Sequence, residues 1–144
     1  MKERLKWAFI LDKDEFVRLS LNKILKKYGF QTEEIDDFSQ LEGRKKDVEG
    51  GIILADVEID ILEKDFVFLK RWSDRFIWMT PLVTDELTLR LKKMGIHRIM
   101  KKPVDPRLLR KVIRQISFPN GAKAPSFGKK GEGSHFIQKG GDVV

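Results

Sequence analysis

Gly51-Ile52-Ile53-Leu54-Ala55-Asp56 is a short apolar run fenced by glycine on one side and a carboxylate on the other. It is too short for a helix, and residues at both alternating positions are apolar. That pattern is a strand covered on both faces, as a parallel sheet requires. Asp56 then stands at the strand's carboxyl end, the edge of an open α/β sheet where ligands and chemistry gather. A second run of the same kind, Trp7-Ala8-Phe9-Ile10-Leu11, ends at Asp12. Two such strands side by side place two acids in one pocket.

The rest of the chain alternates around these two strands. Asp14 is placed to cap a helix carrying Phe16, Val17, Leu21, Ile24, Leu25 and Tyr28 at helical spacing, stopped by Gly29. Gln31 to Ile35 is a more polar strand, which suits a sheet edge. Ser39 is expected to cap a short helix through Leu41, with a weakly apolar helical stretch over Glu42 to Glu49. After Asp56, a loop through Asp60 leads to a helix bearing Phe66, Val67, Leu69 and Trp72. Phe76-Ile77-Trp78-Met79 is the fourth strand, closed by Thr80-Pro81 because proline cannot donate to a ladder. Asp85 to Met94 is a helix stopped by Gly95, with Leu87, Leu91 and Met94 inward. Arg98 to Met100 is a fifth strand running into Lys101-Lys102-Pro103. The last helix begins at Pro106, and Leu108, Leu109, Val112, Ile113 and Ile116 make its apolar stripe.

Five strands alternating with five helices over short connections imply right-handed crossovers. The fold class is α/β, a doubly wound five-stranded parallel sheet with helices on both faces. Residues 1–116 form this domain. Residues 117–144 hold six of the eleven glycines, two of the five prolines and four lysines, without apolar periodicity, and read as a flexible tail or linker. Within it, Phe136-Ile137-Gln138 is a candidate strand or docking motif.

Bulk composition limits the function. A length of 144 residues with 41% hydrophobic content suits one domain with a real core. The absence of cysteine excludes disulfides and thiolate metal sites. No apolar run reaches bilayer length and Met1-Lys2-Glu3-Arg4 does not lead into a signal-peptide core, so a cytoplasmic protein without a membrane partner is expected. The net charge of +7 raises nucleic-acid binding through the basic tail, but helix-turn-helix, zinc and aromatic-platform signatures are missing. That reading ranks below the others.

Asp12, Asp56, Thr80 and Lys102 follow strands one, three, four and five, and so meet at one edge of the sheet. Two acids, a hydroxyl and an ammonium suit the handling of a phosphoryl group: a carboxylate is a nucleophile, a divalent cation screens charge, and Thr and Lys bind phosphoryl oxygens. Gly-rich phosphate loops and zinc-type histidine pairs do not occur, and neither His97 nor His135 has triad partners.

Over roughly residues 5–116 the chain resembles the receiver domain of two-component response regulators. The resemblance is carried by Ile10-Leu11-Asp12-Lys13-Asp14, Ile53-Leu54-Ala55-Asp56, Met79-Thr80 and Lys101-Lys102-Pro103, in order on the expected strands. It implies a flavodoxin-like sheet of order 2-1-3-4-5. It further implies that Asp56 is the phosphoacceptor, supplied by a histidine kinase or phosphotransfer protein. Asp12, Asp56 and the backbone carbonyl of Glu58 would hold Mg²⁺, with Thr80 and Lys102 binding the phosphoryl group. The Lys102-Pro103 bond would be cis. Output would pass through the face made by the fourth helix, fifth strand and fifth helix, to a downstream protein or a second copy in a homodimer.

Four departures qualify this picture. Lys13 stands where the family usually has a second metal-binding acid, and an ammonium there repels Mg²⁺ and is placed to neutralise Asp56. Asp14 is the candidate substitute. Asp60 and Lys64 replace the usual proline and glycine after the phosphoacceptor, and the segment from Asp56 to Thr80 is several residues short. Ile99 occupies the switch position usually held by an aromatic ring. Two readings follow: a phosphoacceptor receiver, or a pseudo-receiver in which the same fold is a protein-interaction module independent of phosphorylation. In either reading Arg107, Arg110, Lys111 and Arg114 of the last helix offer a basic outer surface.

Overall fold

Asp12 and Asp56 are register partners, the last rungs of a parallel pair that also matches Ala8 with Ile52 and Ile10 with Leu54. In the computed structural model, which describes residues 6–116 and Phe118, the two strands are β1 (Lys6–Asp12) and β3 (Ile52–Asp56). Between them lie α1 (Glu15–Lys27), β2 (Phe30–Glu34) and a 3₁₀ segment, Phe38–Arg44, running into α2 (Lys45–Glu49). Next come α3 (Ile59–Leu69), a 3₁₀ extension over Lys70–Arg75, β4 (Phe76–Thr80), α4 (Asp85–Lys93), β5 (Ile99–Lys101) and α5 (Pro106–Arg114). All pairings are parallel and the order is β2-β1-β3-β4-β5, as expected. The polar strand β2 is indeed an edge.

Strand alternation separates two apolar layers. Ala8 and Ile10 of β1, Ile52 and Leu54 of β3, and Ile77 and Met79 of β4 face one side, covered by Leu21 and Leu25 of α1 and Leu109, Val112 and Ile113 of α5. Phe9, Ile53, Ala55, Phe76 and Trp78 face the other, covered by Phe38, Leu41, Val48, Leu62 and Leu91. Strands buried on both faces are what the short apolar runs require. Phe118, in the stretch read as tail, is buried in the first layer with its ring 6.3 Å from that of Phe30. Phe136-Ile137-Gln138 and His135 lie outside the described residues.

Local chemistry fixes the element ends. Gly29 and Gly95 adopt φ of 91° and 82°, the left-handed region that ends a helix at little cost only with glycine. Thr84 and Asp105 cap α4 and α5. Two expectations are corrected. The cap before Leu41 is Asp37, not Ser39: Asp37 accepts from the Ser39 N–H while Gln40 reaches back to the Asp37 N–H, a reciprocal box. Ser39 is a partner of that cap, its hydroxyl also donating to Asp37 Oδ1, and Phe38 and Leu41 on either side of it are buried. The segment after Asp56 is not a loop through Asp60. Glu58 is the N-cap residue and Ile59 already begins α3, so that Leu62 reaches the core. Trp72 belongs to the 3₁₀ extension and is buried there.

Candidate functional site

The β1 and β3 register sets Asp12 beside Asp56, and β5 delivers Lys102 from across the sheet edge. The Lys102 ammonium donates to Asp12 Oδ2 at 2.8 Å and to Asp56 Oδ2 at 2.5 Å. One cation therefore bridges both acids. Asp12 is nearly buried, its side chain 3% exposed, whereas that of Asp56 is 24% exposed. Burial alone pushes the Lys102 ammonium toward deprotonation, but its hydrogen bonds to Asp12 and Asp56 outweigh this and hold it above the ordinary lysine range. The Lys102-Pro103 peptide bond is cis, as the resemblance implied.

The other expected site residues are placed differently. Asp14 is exposed and does not turn into the pocket: its Oδ1 accepts from the Phe16 and Val17 N–H groups as the cap of α1. Its own N–H donates to Asp12 Oδ1 at 2.8 Å. Lys13 is exposed and does not neutralise Asp56; Lys102 does. Thr80 ends β4 at the same edge, and Lys102 N–H donates to its carbonyl at 2.8 Å. The Thr80 hydroxyl is engaged in its own turn, donating to the Leu82 carbonyl at 3.0 Å and accepting from the Leu82 N–H. The Glu58 carbonyl accepts from the Ile61 N–H at 2.9 Å in the first turn of α3. Ile99 is half-buried on β5 and packs with the layer containing Trp78.

This donor set does not fit Mg²⁺. The ion demands near-octahedral oxygen at about 2.0–2.1 Å and keeps several waters, its anchor being carboxylate charge. Three of the four carboxylate oxygens of Asp12 and Asp56 already accept hydrogen bonds. Lys102 cancels one of the two charges, and Lys13, the residue after Asp12, supplies no third carboxylate. Among the described residues, no group of three or more His, Asp or Glu side chains is placed to hold a metal.

Three arginines without a role in the sequence analysis hold the strand ends and helices in place, two near the site and one at the far edge of the sheet. Arg18 donates to the carbonyls of Asp12 at 2.9 Å and Lys13 at 3.1 Å and pairs with Glu34, fixing the turn after β1. Arg75, at the opposite edge of the sheet, is buried and donates to the Gly51 carbonyl at 2.9 Å; burial, reinforced by the Arg98 charge, lowers its pKa against the pull of Asp74. Arg90 of α4 reaches α3, donating to Glu63 Oε2 at 3.0 Å and Asp60 Oδ1 at 2.9 Å, with Glu86 3.9 Å away. These partners hold its pKa above the ordinary arginine value. Only the local spacing of Arg18 to Asp12 and of Arg90 to Glu86 was visible in sequence.

The Arg90 contacts tie the helix that follows Asp56 to the helix that follows Thr80. All partners are solvent-accessible, so the tie is electrostatic and screened by salt. Arg90→Met is expected to speed amide exchange in the first turns of α3 and α4 at low ionic strength. The difference should close at high salt, and a difference that persists there would assign Arg90 a packing role instead.

The fold and the placement of these residues define a class, the CheY-like receiver fold. A response regulator from Thermotoga maritima superposes with a TM-score of 0.65 at 16% identity, over 78% of this chain and 98% of that one. The chemotaxis protein CheY4 of Vibrio cholerae gives 0.63 at 17% identity over 79% and 100%. A Burkholderia pseudomallei protein described as pilus assembly-related gives 0.60 at 13% identity over 78% and 89%. No family model matches the chain, and no curated protein matches its sequence. At these identities the likeness shows the fold, and this chain is a receiver-fold domain. No helix among the described residues is long and apolar enough to cross a membrane.

Proposed function

We propose that the chain is a protein-interaction module of the receiver fold whose site works without phosphorylation. The carrying observation is the single ammonium of Lys102 bonded to both acids, in a pocket whose third acid is replaced by Lys13. Phosphoryl transfer to a carboxylate needs positive charge on the transferred oxygens and a free nucleophilic oxygen. Here the available cation already serves the resting acids and the donor set does not fit Mg²⁺. The Lys102 bridge acts as a fixed internal counterion, and the surface of α4, β5 and α5 is the output face. In this reading the domain is a signalling component rather than an enzyme.

The exposure of Asp56 favours a second reading. Its side chain is eight times as exposed as that of Asp12, so it is the acid a donor can reach. In that reading Asp56 takes a phosphoryl group from a histidine kinase or phosphotransfer protein, with Mg²⁺ at Asp12, Asp56 and the Glu58 carbonyl, and Thr80 and Lys102 contacting the product. Intact-mass spectrometry after incubation with Mg²⁺ and acetyl phosphate separates the two. Wild type is expected to gain no phosphoryl group, and Lys13→Asp to gain one that Lys13→Asp/Asp56→Asn lacks. A phosphoryl group on wild type that Asp56→Asn abolishes would replace the first reading with the second.

A further inference from the structure

The side of α1 that faces away from the sheet carries two apolar residues that the fold leaves uncovered. Phe16 is 79% exposed and Leu19 60%, and Phe16 is the one exposed aromatic side chain among the described residues. The inner side of the helix is accounted for: Leu21 and Leu25 are buried, and Arg18 and Asn22 are held by Glu34. At 3.6 residues per turn, Glu15, Phe16, Leu19, Lys23, Lys26 and Lys27 fall on the outer side within an arc of about 120°. All six are exposed. Charge is ordered along this stripe: Glu15 stands one turn before Leu19, and Lys23 one turn after it, followed by Lys26 and Lys27. None of these four charges enters an ion pair with a described residue.

We propose that this side of α1 is a contact surface for a second copy of the chain, two α1 helices packing antiparallel about a two-fold axis at Leu19. An isologous contact makes every pairing twice, so its surface must complement itself. With the axis at Leu19 the two Leu19 side chains meet, and Glu15 of each copy stands opposite Lys23 of the other. Phe16, three residues from the axis, comes against the hydrocarbon stem of the opposing Lys23. A parallel pairing would instead set acid against acid and lysine against lysine. An anionic lipid surface would attract the lysines but repel the acidic end of the stripe. One helix from each copy covers less than the roughly 1,200 Å² of a permanent interface, so the dimer is weak and forms as concentration rises. The inference goes beyond the interaction-module reading and does not depend on it, because none of these residues belongs to the acid pocket or to α4, β5 and α5.

The test is sedimentation velocity on the full chain at low salt, over a series of concentrations. Wild type is expected to pass from monomer to dimer as concentration rises and to dissociate on dilution. Leu19→Glu, which sets two carboxylates together at the axis, should weaken the dimer about tenfold or more. Glu15→Lys and Lys23→Glu should each do the same, since each creates two like-charge contacts. An equimolar mixture of those two variants should recover the wild-type affinity within a few-fold. In that mixture one copy carries lysine at both positions and the other glutamate at both, so both contacts are restored. Lys64→Glu, at an exposed position of α3, should leave the dimer unchanged, and circular dichroism confirms that every variant is folded. The proposal is overturned if wild type stays monomeric throughout, if its dimer survives both single charge changes, if the mixture does not recover it, or if Lys64→Glu loses as much. A monomer that co-sediments with phosphatidylserine vesicles would assign the stripe to a lipid surface and overturn it as well.

Discussion

Gly51→Ala is expected to destabilise the domain by about 3 kcal/mol or more, enough to leave much of it unfolded at ambient temperature. A β-carbon at Gly51 would stand 2.2 Å from the Trp7 carbonyl oxygen and 2.8 Å from that of Asp47. Both obstacles are backbone, one in β1 and one in α2, so no rotamer change relieves them. Gly51 also lies at the entrance to β3, its N–H donating to the Val48 carbonyl and its carbonyl accepting from buried Arg75. Shifting it moves the central strand against its neighbour and strands a guanidinium away from water. Urea denaturation measures the loss. A change under about 1 kcal/mol would show that β1 and α2 move apart freely there, against the close packing read from this contact. Gly43 is the internal control: a β-carbon there meets nothing within 4 Å, and Gly43→Ala should change stability little.

Gly51 also illustrates what the sequence made legible. A glycine before an apolar run marks where a strand begins, and the sequence shows that much. That this glycine is required by the Trp7 carbonyl needs the β1 to β3 register, a tertiary fact. The same division runs through the site. Asp12, Asp56 and Lys102 were readable because each ends a strand, and parallel topology brings strand ends together whatever the loops do. The choice of partner was not readable. Asp14 had two possible employments, and the orphan N–H groups of α1 claimed it, since they lie two and three residues away. Thr80 turned back on Leu82 for the same local reason. Arg90 and Glu63 are 27 positions apart, and nothing in either's neighbourhood announces the pair. The resemblance assigned Lys102 to the phosphorylated Asp56 and Lys13 was placed to neutralise the resting acid; in the structure Lys102 meets the resting carboxylate and Lys13 does not. Lys13 continues past the strand end into solvent, whereas Lys102 comes from the next strand but one and points across the edge.

Lys102→Met should cost about 2–3 kcal/mol at neutral pH, because it leaves two carboxylates facing each other without their shared counterion. Removing one partner of a buried pair costs about 3–5 kcal/mol, and the partial exposure of Asp56 lowers that here. If the cost comes from stranded charge, it must shrink when a charge is withdrawn. Lys102→Met/Asp56→Asn is therefore expected to be more stable than Lys102→Met alone, a coupling read from the double-mutant cycle. If the two losses simply add, the cost of Lys102→Met does not come from charge stranded on Asp56. The pH dependence has a fixed sign. The folded pKa of Lys102 is raised above its ordinary 10.5, so the folded state binds this proton more tightly than the unfolded one. Its contribution is fully present below 10.5 and is lost as pH climbs through the raised folded value. The stability gap between wild type and Lys102→Met should then narrow in alkali as the Lys102 proton is lost, and narrow again in acid, where carboxylates take up protons and the stranded charge is withdrawn. A gap that closed on the alkaline side already below 10.5 would mean that the ammonium is held less firmly than two hydrogen-bonded carboxylates require. The bridge that keeps the pocket stable takes one oxygen of each acid. In the proposed reading this is how stability is set against any phosphoacceptor chemistry at Asp56.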